Sequence, residues 1–118
     1  MTQDSNIKPG LHVLVDDTRS FYVDVTLRTA DEARKFFAQP QLVAHLYLDH
    51  DLGCVDRHGN DDTGYNVLTW LLENDQRPEQ VTLVTMNPVG RDRMAAALEA
   101  HGYTPERPGA LTFQRGNA

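Results

Sequence analysis

The stretch Tyr47-Leu48-Asp49-His50-Asp51-Leu52-Gly53 decides the fold. It ends an apolar run, Ala44 to Leu48, with two carboxylates, an imidazole and a glycine within the next five positions. A chain leaving a buried strand there delivers charge and a titratable ring to one edge of a sheet, the edge where open α/β folds keep their chemistry. Leu14-Val15-Asp16-Asp17 repeats the pattern, a second apolar run that ends in acid. Two such strands lying side by side bring three or four carboxylates together, and that much negative charge calls for a cation.

The rest of the chain reads as a frame for those two strands. Pro9-Gly10 interrupts the chain before Leu11-His12-Val13-Leu14-Val15, which has the length and composition of a buried strand. Tyr22 to Arg28 alternates in polarity and predicts a second strand with one exposed face. Thr29-Ala30-Asp31-Glu32 is a capping-box sequence, in which the threonine hydroxyl and the Glu32 carboxylate each satisfy a free backbone donor of the other. The helix it opens runs to about Gln39 and stops before Pro40. Ala44 to Leu48 is the central strand. Cys54 to Asp62 is polar and glycine-containing, a flexible loop of the kind that covers a site.

Thr63-Gly64-Tyr65 then opens a helix with Val67, Leu68, Leu71 and Leu72 on one face, and Trp70 beside that stripe reads as packing. Val81 to Thr85 is a fourth strand. Asn87-Pro88 predicts a helix start, since asparagine caps and proline's missing N–H has no partner in the first turn anyway. Met94, Ala95 and Leu98 give that helix its buried face, and Gly102 ends it. Ala110 to Phe113 is a last strand, and Gln114 to Ala118 reads as a frayed tail.

Helices alternating with short apolar strands predict an α/β fold with a mostly parallel, five-stranded sheet. Right-handed crossovers make a flavodoxin-like order, 2-1-3-4-5, the simplest arrangement, a three-layer sandwich with the first and third strands adjacent. Asp16, Asp17 and Asp49 then converge at the carboxyl edge, with Thr85 as their neighbour. With 118 residues the chain is one domain, its core running from about residue 11 to 113. A net charge of -6 argues against broad binding to duplex DNA, which needs a basic face to displace counterions. The single cysteine, Cys54, excludes a disulfide framework and a cysteine-rich zinc site and reads as a loop thiol in a reducing, cytoplasmic setting. No apolar run is long enough for a signal core or a membrane span.

Four segments carry a family resemblance. Asp16-Asp17 after the first strand, Asp49 after the third and Thr85 after the fourth resemble the acidic pocket and hydroxyl of response-regulator receiver domains. VDDTR (Val15 to Arg19), YLDHDLG (Tyr47 to Gly53), DTGYNVLTWL (Asp62 to Leu71) and TMNPVGRDRM (Thr85 to Met94) are more similar still to the cyclic-phosphate-processing receiver-like domains. In that order they span most of the chain from Leu11 to about Tyr103. The chain departs from receivers in two ways. Its only lysines, Lys8 and Lys35, are far from the position after the fifth strand where a receiver holds its phosphoryl group. Its first strand also leads straight into a second strand, so the first receiver helix is lacking. Against the closer family, Val84 stands where a histidine is common and Asn66 where an aspartate is common.

The resemblance implies hydrolysis of a cyclic phosphate on a nucleotide or RNA end. Asp16, Asp17 and Asp49 are the implied oxygen ligands of Mg²⁺ or Mn²⁺, hard ions that also take phosphate oxygens. His50 suits general acid or base work because its unperturbed pKa lies near neutrality. Asp51 either orients that ring or adds a ligand, so the implied catalytic set is Asp49, His50 and Asp51. Backbone N–H groups after Asn87-Pro88 favour an anion, with Thr85, Asn87, Arg91 and Arg19 as phosphate-binding side chains.

Each residue also has a plainer reading. Paired aspartates after a strand are often a solvated turn, Asn87 has a sufficient job as a helix cap, and Arg91 and Arg93 suit a solvated helix face. His12, His45, His58 and His101 read as structural or exposed, Gly64-Tyr65 as a packing corner and Gly53 as a turn with positive φ. Three classes follow. The first is a metal-dependent phosphohydrolase acting on a small phosphorylated ligand or RNA end. The second is a receiver-derived module that binds a phosphorylated ligand or a protein partner without turnover, and the third is a domain switched by aspartyl phosphorylation.

Overall fold

The computed structural model describes residues 10–116, so the Pro9 interruption and tail positions 117 and 118 lie outside the described residues. The elements in chain order are β1 (Leu11–Val15), β2 (Val25–Leu27), α1 (Ala30–Ala38), β3 (Val43–Leu48), α2 (Gly64–Glu73), β4 (Gln80–Leu83), α3 (Pro88–Ala100), β5 (Tyr103–Pro105) and β6 (Thr112–Arg115). They build a six-stranded sheet ordered β2-β1-β3-β4-β6-β5, parallel from β2 to β4 and antiparallel at β6 and β5. This is the receiver-like α/β fold expected from the sequence, without a helix between β1 and β2. Five expected strands become six. β6 takes the fifth position, and β5 adds an edge that is too short, and too interrupted by Pro105, to show a strand period. Gln114 and Arg115, expected in a frayed tail, complete β6 by pairing with Gln80 and Tyr103.

Register sorts the side chains into two faces. Val25, Val13, Leu46, Val81 and Phe113 are neighbours across the sheet. They share one core with Ala33 and Phe37 of α1, Val67, Leu68 and Leu71 of α2, and Met94 and Leu98 of α3. All three helices therefore lie on one side, and the expected third layer does not form among the described residues. The crossovers explain it. Each helical connection steps the same way along the sheet, from β2 to β3, β3 to β4 and β4 to β5, and right-handed crossovers in one direction leave their helices on one face. The β1–β2 connection steps the other way and carries no helix. Phe21 from that connection packs edge-on against Tyr47, and Tyr47 stacks on His45 at 4.1 Å. His45 Nε2, Thr82 Oγ1 and Thr112 Oγ1 then link across three strands through contacts of 2.7 Å.

The helix starts follow local chemistry and face the carboxyl edge of the sheet. Thr29 Oγ1 accepts from Glu32 N, but the Glu32 carboxylate reaches back to Arg28 N, one residue before the donor that a capping box uses. Thr63 Oγ1 accepts from Asn66 N, and Asn87 Oδ1 from Gly90 N, with Pro88 opening α3. Met94 and Leu98 face the core as expected, while Ala95 is half-buried and Gly90 takes the remaining buried position. The segment expected as a flexible cover, Cys54 to Asp62, is instead a hydrogen-bonded turn. A bridge joins Val55 to Asp61, and Asp56 Oδ1 accepts from His58 N and Asn60 N. No helix among the described residues is long and apolar enough to cross a membrane.

Candidate functional site

The sheet pairing carries two acids to the same place. Asp49 N donates to Val15 O at 2.9 Å and Asp16 N to Leu27 O at 3.1 Å, so both residues continue the ladder just past β3 and β1. Asp16 and Asp49 are buried, whereas Asp17 is exposed. Oxygens from all three carboxylates lie within 4.8 Å of one another. The convergence expected at the carboxyl edge is therefore observed.

Backbone donors fix one oxygen of each buried acid. Asp16 Oδ1 accepts from Thr18 N at 2.9 Å and Arg19 N at 3.0 Å, and Asp49 Oδ1 accepts from His50 N at 2.8 Å. The remaining oxygens face a single cation. Arg19 Nη1 stands 2.7 Å from Asp16 Oδ2 and 3.5 Å from Asp49 Oδ2. Burial pushes the Asp16 pKa up, yet the N–H groups of Arg19 and Thr18 and the Arg19 guanidinium together hold it below its ordinary value. Asp49 goes the other way. Burial, and then the Asp16 charge, raise it against the opposing pull of the His50 N–H, Arg19 and the Thr85 hydroxyl.

Three acids and one arginine leave the cluster short of positive charge. Every donor is an oxygen, and two come from buried side chains held by the backbone. That set suits a hard divalent cation, since Mg²⁺ binds carboxylate oxygens at roughly 2.0–2.1 Å and keeps other positions for water or phosphate.

Beside the cluster, His50 Nδ1 lies 2.8 Å from Asp51 Oδ1, and Asn87 Nδ2 reaches both oxygens of Asp51 at 3.4 Å. Of the two roles open to Asp51, orienting the ring is the one this geometry gives. The ring lies against the first turn of α3 because Gly90 leaves room for it; a Cβ there would meet the imidazole at 2.4 Å. Gly64 packs as closely against the Asp49 backbone, where a Cβ would fall 1.8 Å from the carbonyl oxygen. Gly53 adopts φ 66°, the left-handed turn expected of it.

The expected phosphate donors divide. Thr85 is buried next to Asp49, where its hydroxyl faces the carboxylate, and its Oγ1 accepts from Asn87 N at 3.0 Å. Asn87 is spent, its Oδ1 on Gly90 N and its Nδ2 on Asp51, so capping is the role the structure gives it. Arg91 N donates to the Asn87 carbonyl. Arg91 lines a different groove, between α3 and the segment from Gly109 to Phe113. Arg19 sits on the acids. Asn66 donates to Asp61 O and Asp62 Oδ1, outside the cluster, and Val84 N continues the ladder to Leu48 O.

Sequence reasoning missed two supports. Arg28 Nη1 donates to the carbonyls of Asp16 and Arg19 and pins the acidic loop, but its place at the end of a strand gives no sign of that reach. Gly90 seats His50, for which a small residue in the first turn of α3 was the available signal.

Searches of curated proteins and of solved structures return no match. The family described as the cyclic-phosphate processing Receiver domain matches residues 11–100, which take in β1 to α3 and every member of the acid cluster. The chain belongs to the cyclic-phosphate processing receiver domains.

Proposed function

We propose that the chain is a metal-dependent phosphohydrolase that opens the cyclic phosphate of a nucleotide or an RNA end. One observation carries the reading: a three-carboxylate cluster stands beside a histidine whose Nδ1 is already committed to Asp51. Asp16, Asp17 and Asp49 would hold Mg²⁺ or Mn²⁺, which when bound neutralises phosphate charge and acidifies water. Hydrolysis adds water across one ester bond: the water oxygen joins phosphorus, and the ring-opening oxygen leaves with a proton. Asp51 leaves Nε2 as the His50 atom that takes the proton from water or supplies it to the leaving oxygen. Thr85 turns its hydroxyl from Asp49 to the phosphoryl group, and Gly90 keeps the imidazole against α3.

The test is a screen of 2′,3′-cyclic nucleotides, cyclic-phosphate RNA ends and linear phosphoesters with Mg²⁺ and Mn²⁺. The expected result is metal-dependent opening of a cyclic ester that His50→Ala reduces by about 10²-fold or more. Absence of turnover on every cyclic ester overturns the reading. Binding of the same compounds without turnover selects the second class, a receiver-derived binding module. Val84 favours that class, because an apolar side chain replaces the family's common histidine.

A further inference from the structure

We infer that Arg19 is a resident counter-cation that hands its place on Asp16 and Asp49 to the divalent metal and turns to the phosphate, so that metal and anion bind cooperatively. This rests on the metal reading above and deepens it.

The argument starts from which oxygens are free. Backbone N–H groups hold Oδ1 of both buried acids, so their two Oδ2 atoms, with the exposed Asp17 carboxylate beside them, are the oxygens turned to a cation, and both Oδ2 atoms face Arg19 Nη1 at 2.7 and 3.5 Å. A metal ligated by those Oδ2 atoms and Arg19 Nη1 compete for the same lone pairs. The loop does not need the guanidinium to keep its shape. Asp16 Oδ1 closes the turn on Thr18 N and Arg19 N, and Arg28 pins the Asp16 and Arg19 carbonyls from outside. The Arg19 side chain is 34% exposed and has solvent to swing into.

The anion side needs a donor. The first turn of α3 has spent Gly90 N on Asn87 Oδ1, and Pro88 has no N–H, which leaves the Val89 N–H and no charged donor there. Arg34 is tied to Asp62, Arg28 to backbone carbonyls and Arg93 to the Tyr65 ring. Arg19 is the guanidinium at the cluster that a metal would set free, and a planar fork matches two phosphate oxygens. Whatever pulls Arg19 off the acids helps the metal, and the metal in turn presents Arg19 to the anion; reciprocity makes the two effects equal.

The experiment is a calorimetric titration of Mg²⁺ and of Mn²⁺ into wild type, Arg19→Met and Arg19→Lys, each with and without inorganic phosphate. Arg19→Met keeps the aliphatic stem and removes the competing charge. The expected result is metal affinity at least tenfold higher in Arg19→Met than in wild type without phosphate. Phosphate tightens Mg²⁺ binding in wild type severalfold more than in Arg19→Met, where only direct ligation of the anion by the metal remains. Arg19→Lys, a single point charge without the fork, falls between and serves if Arg19→Met does not fold. Equal or weaker metal binding in the variants overturns the handover, and so does phosphate coupling that is undiminished by loss of the guanidinium. If no protein, wild type or variant, binds either metal, the metal reading itself has failed, an outcome distinct from both.

Discussion

Buried carboxylates in this molecule meet arginine at two places, and they do so differently. Asp62, at the end of the Val55–Asp61 turn, takes both arms of the Arg34 fork and the amide of Asn66, and Arg34 also reaches Asp31. Asp16 and Asp49 share one nitrogen of Arg19, with exposed Asp17 adding a third charge beside them. The Arg34 hydrogen bond holds Asp62 below its ordinary pKa, whereas burial drives Asp49 above it. The first pair is closed and staples the β3–α2 turn to α1. The second is under-neutralised at the mouth of a parallel sheet, and that deficit, more than the presence of acid, is what supports the proposed cation.

Stability separates the two most sharply. Removing Asp62 strips the bidentate partner from Arg34 and leaves it only the exposed Asp31, and Asp62→Ala is expected to cost about 3 kcal/mol. Asp49→Asn removes a charge that the fold holds at a cost, so its metal-free unfolding midpoint should equal or exceed wild type. Urea unfolding of both variants in the presence of a chelator measures this. If Asp49→Asn falls as far as Asp62→Ala, the two regions are the same kind of structural pair and the contrast is gone.

Metal addition is the next contrast. A ligand that binds only the folded state, present at a hundred times its Kd, adds about 2.7 kcal/mol. Wild type and Asp62→Asn should both gain that increment with Mg²⁺ or Mn²⁺, and the double variant Asp16→Asn, Asp49→Asn should gain nothing. A shift that survives in the double variant places the ion elsewhere.

Much of this was legible in the chain because it depends on short-range patterns. The runs ending at Val15 and Leu48 gave two strands whose next residues are acids, and parallel pairing with right-handed crossovers then set those acids side by side. Thr63, Asn87 and Pro88 gave helix starts for the same reason: a cap is a bond over three residues. The missing layer was in principle legible as well, since every helical crossover steps one way and only the helix-free β1–β2 link steps back. What periodicity could not show were long side chains reaching across elements. Arg19 reads as a free anion donor until the Asp16 turn folds it onto two acids, and Asn87 reads as a second donor until Gly90 and Asp51 consume both ends of its amide. Arg34 finding Asp62 over 28 positions has no local signature at all.

The smallest expected effect is in the acid limb of the stability profile, and its sign differs between the two regions. Asp62 is depressed below 3.8, so the stability it contributes is complete above that value and is lost as pH falls through its folded pKa. Asp49 is raised above 3.8, so its ionisation penalises the fold at neutral pH, and the penalty is relieved as pH falls from its folded pKa towards 3.8. On acidification from neutrality the advantage of Asp49→Asn over wild type should therefore close first, while the deficit of Asp62→Asn persists until the pH is below 3.8. Urea midpoints for the three proteins across that range give both differences directly. Should they close together, the two carboxylates feel one environment, and the charge deficit at the sheet edge, with the cation it implies, loses its support.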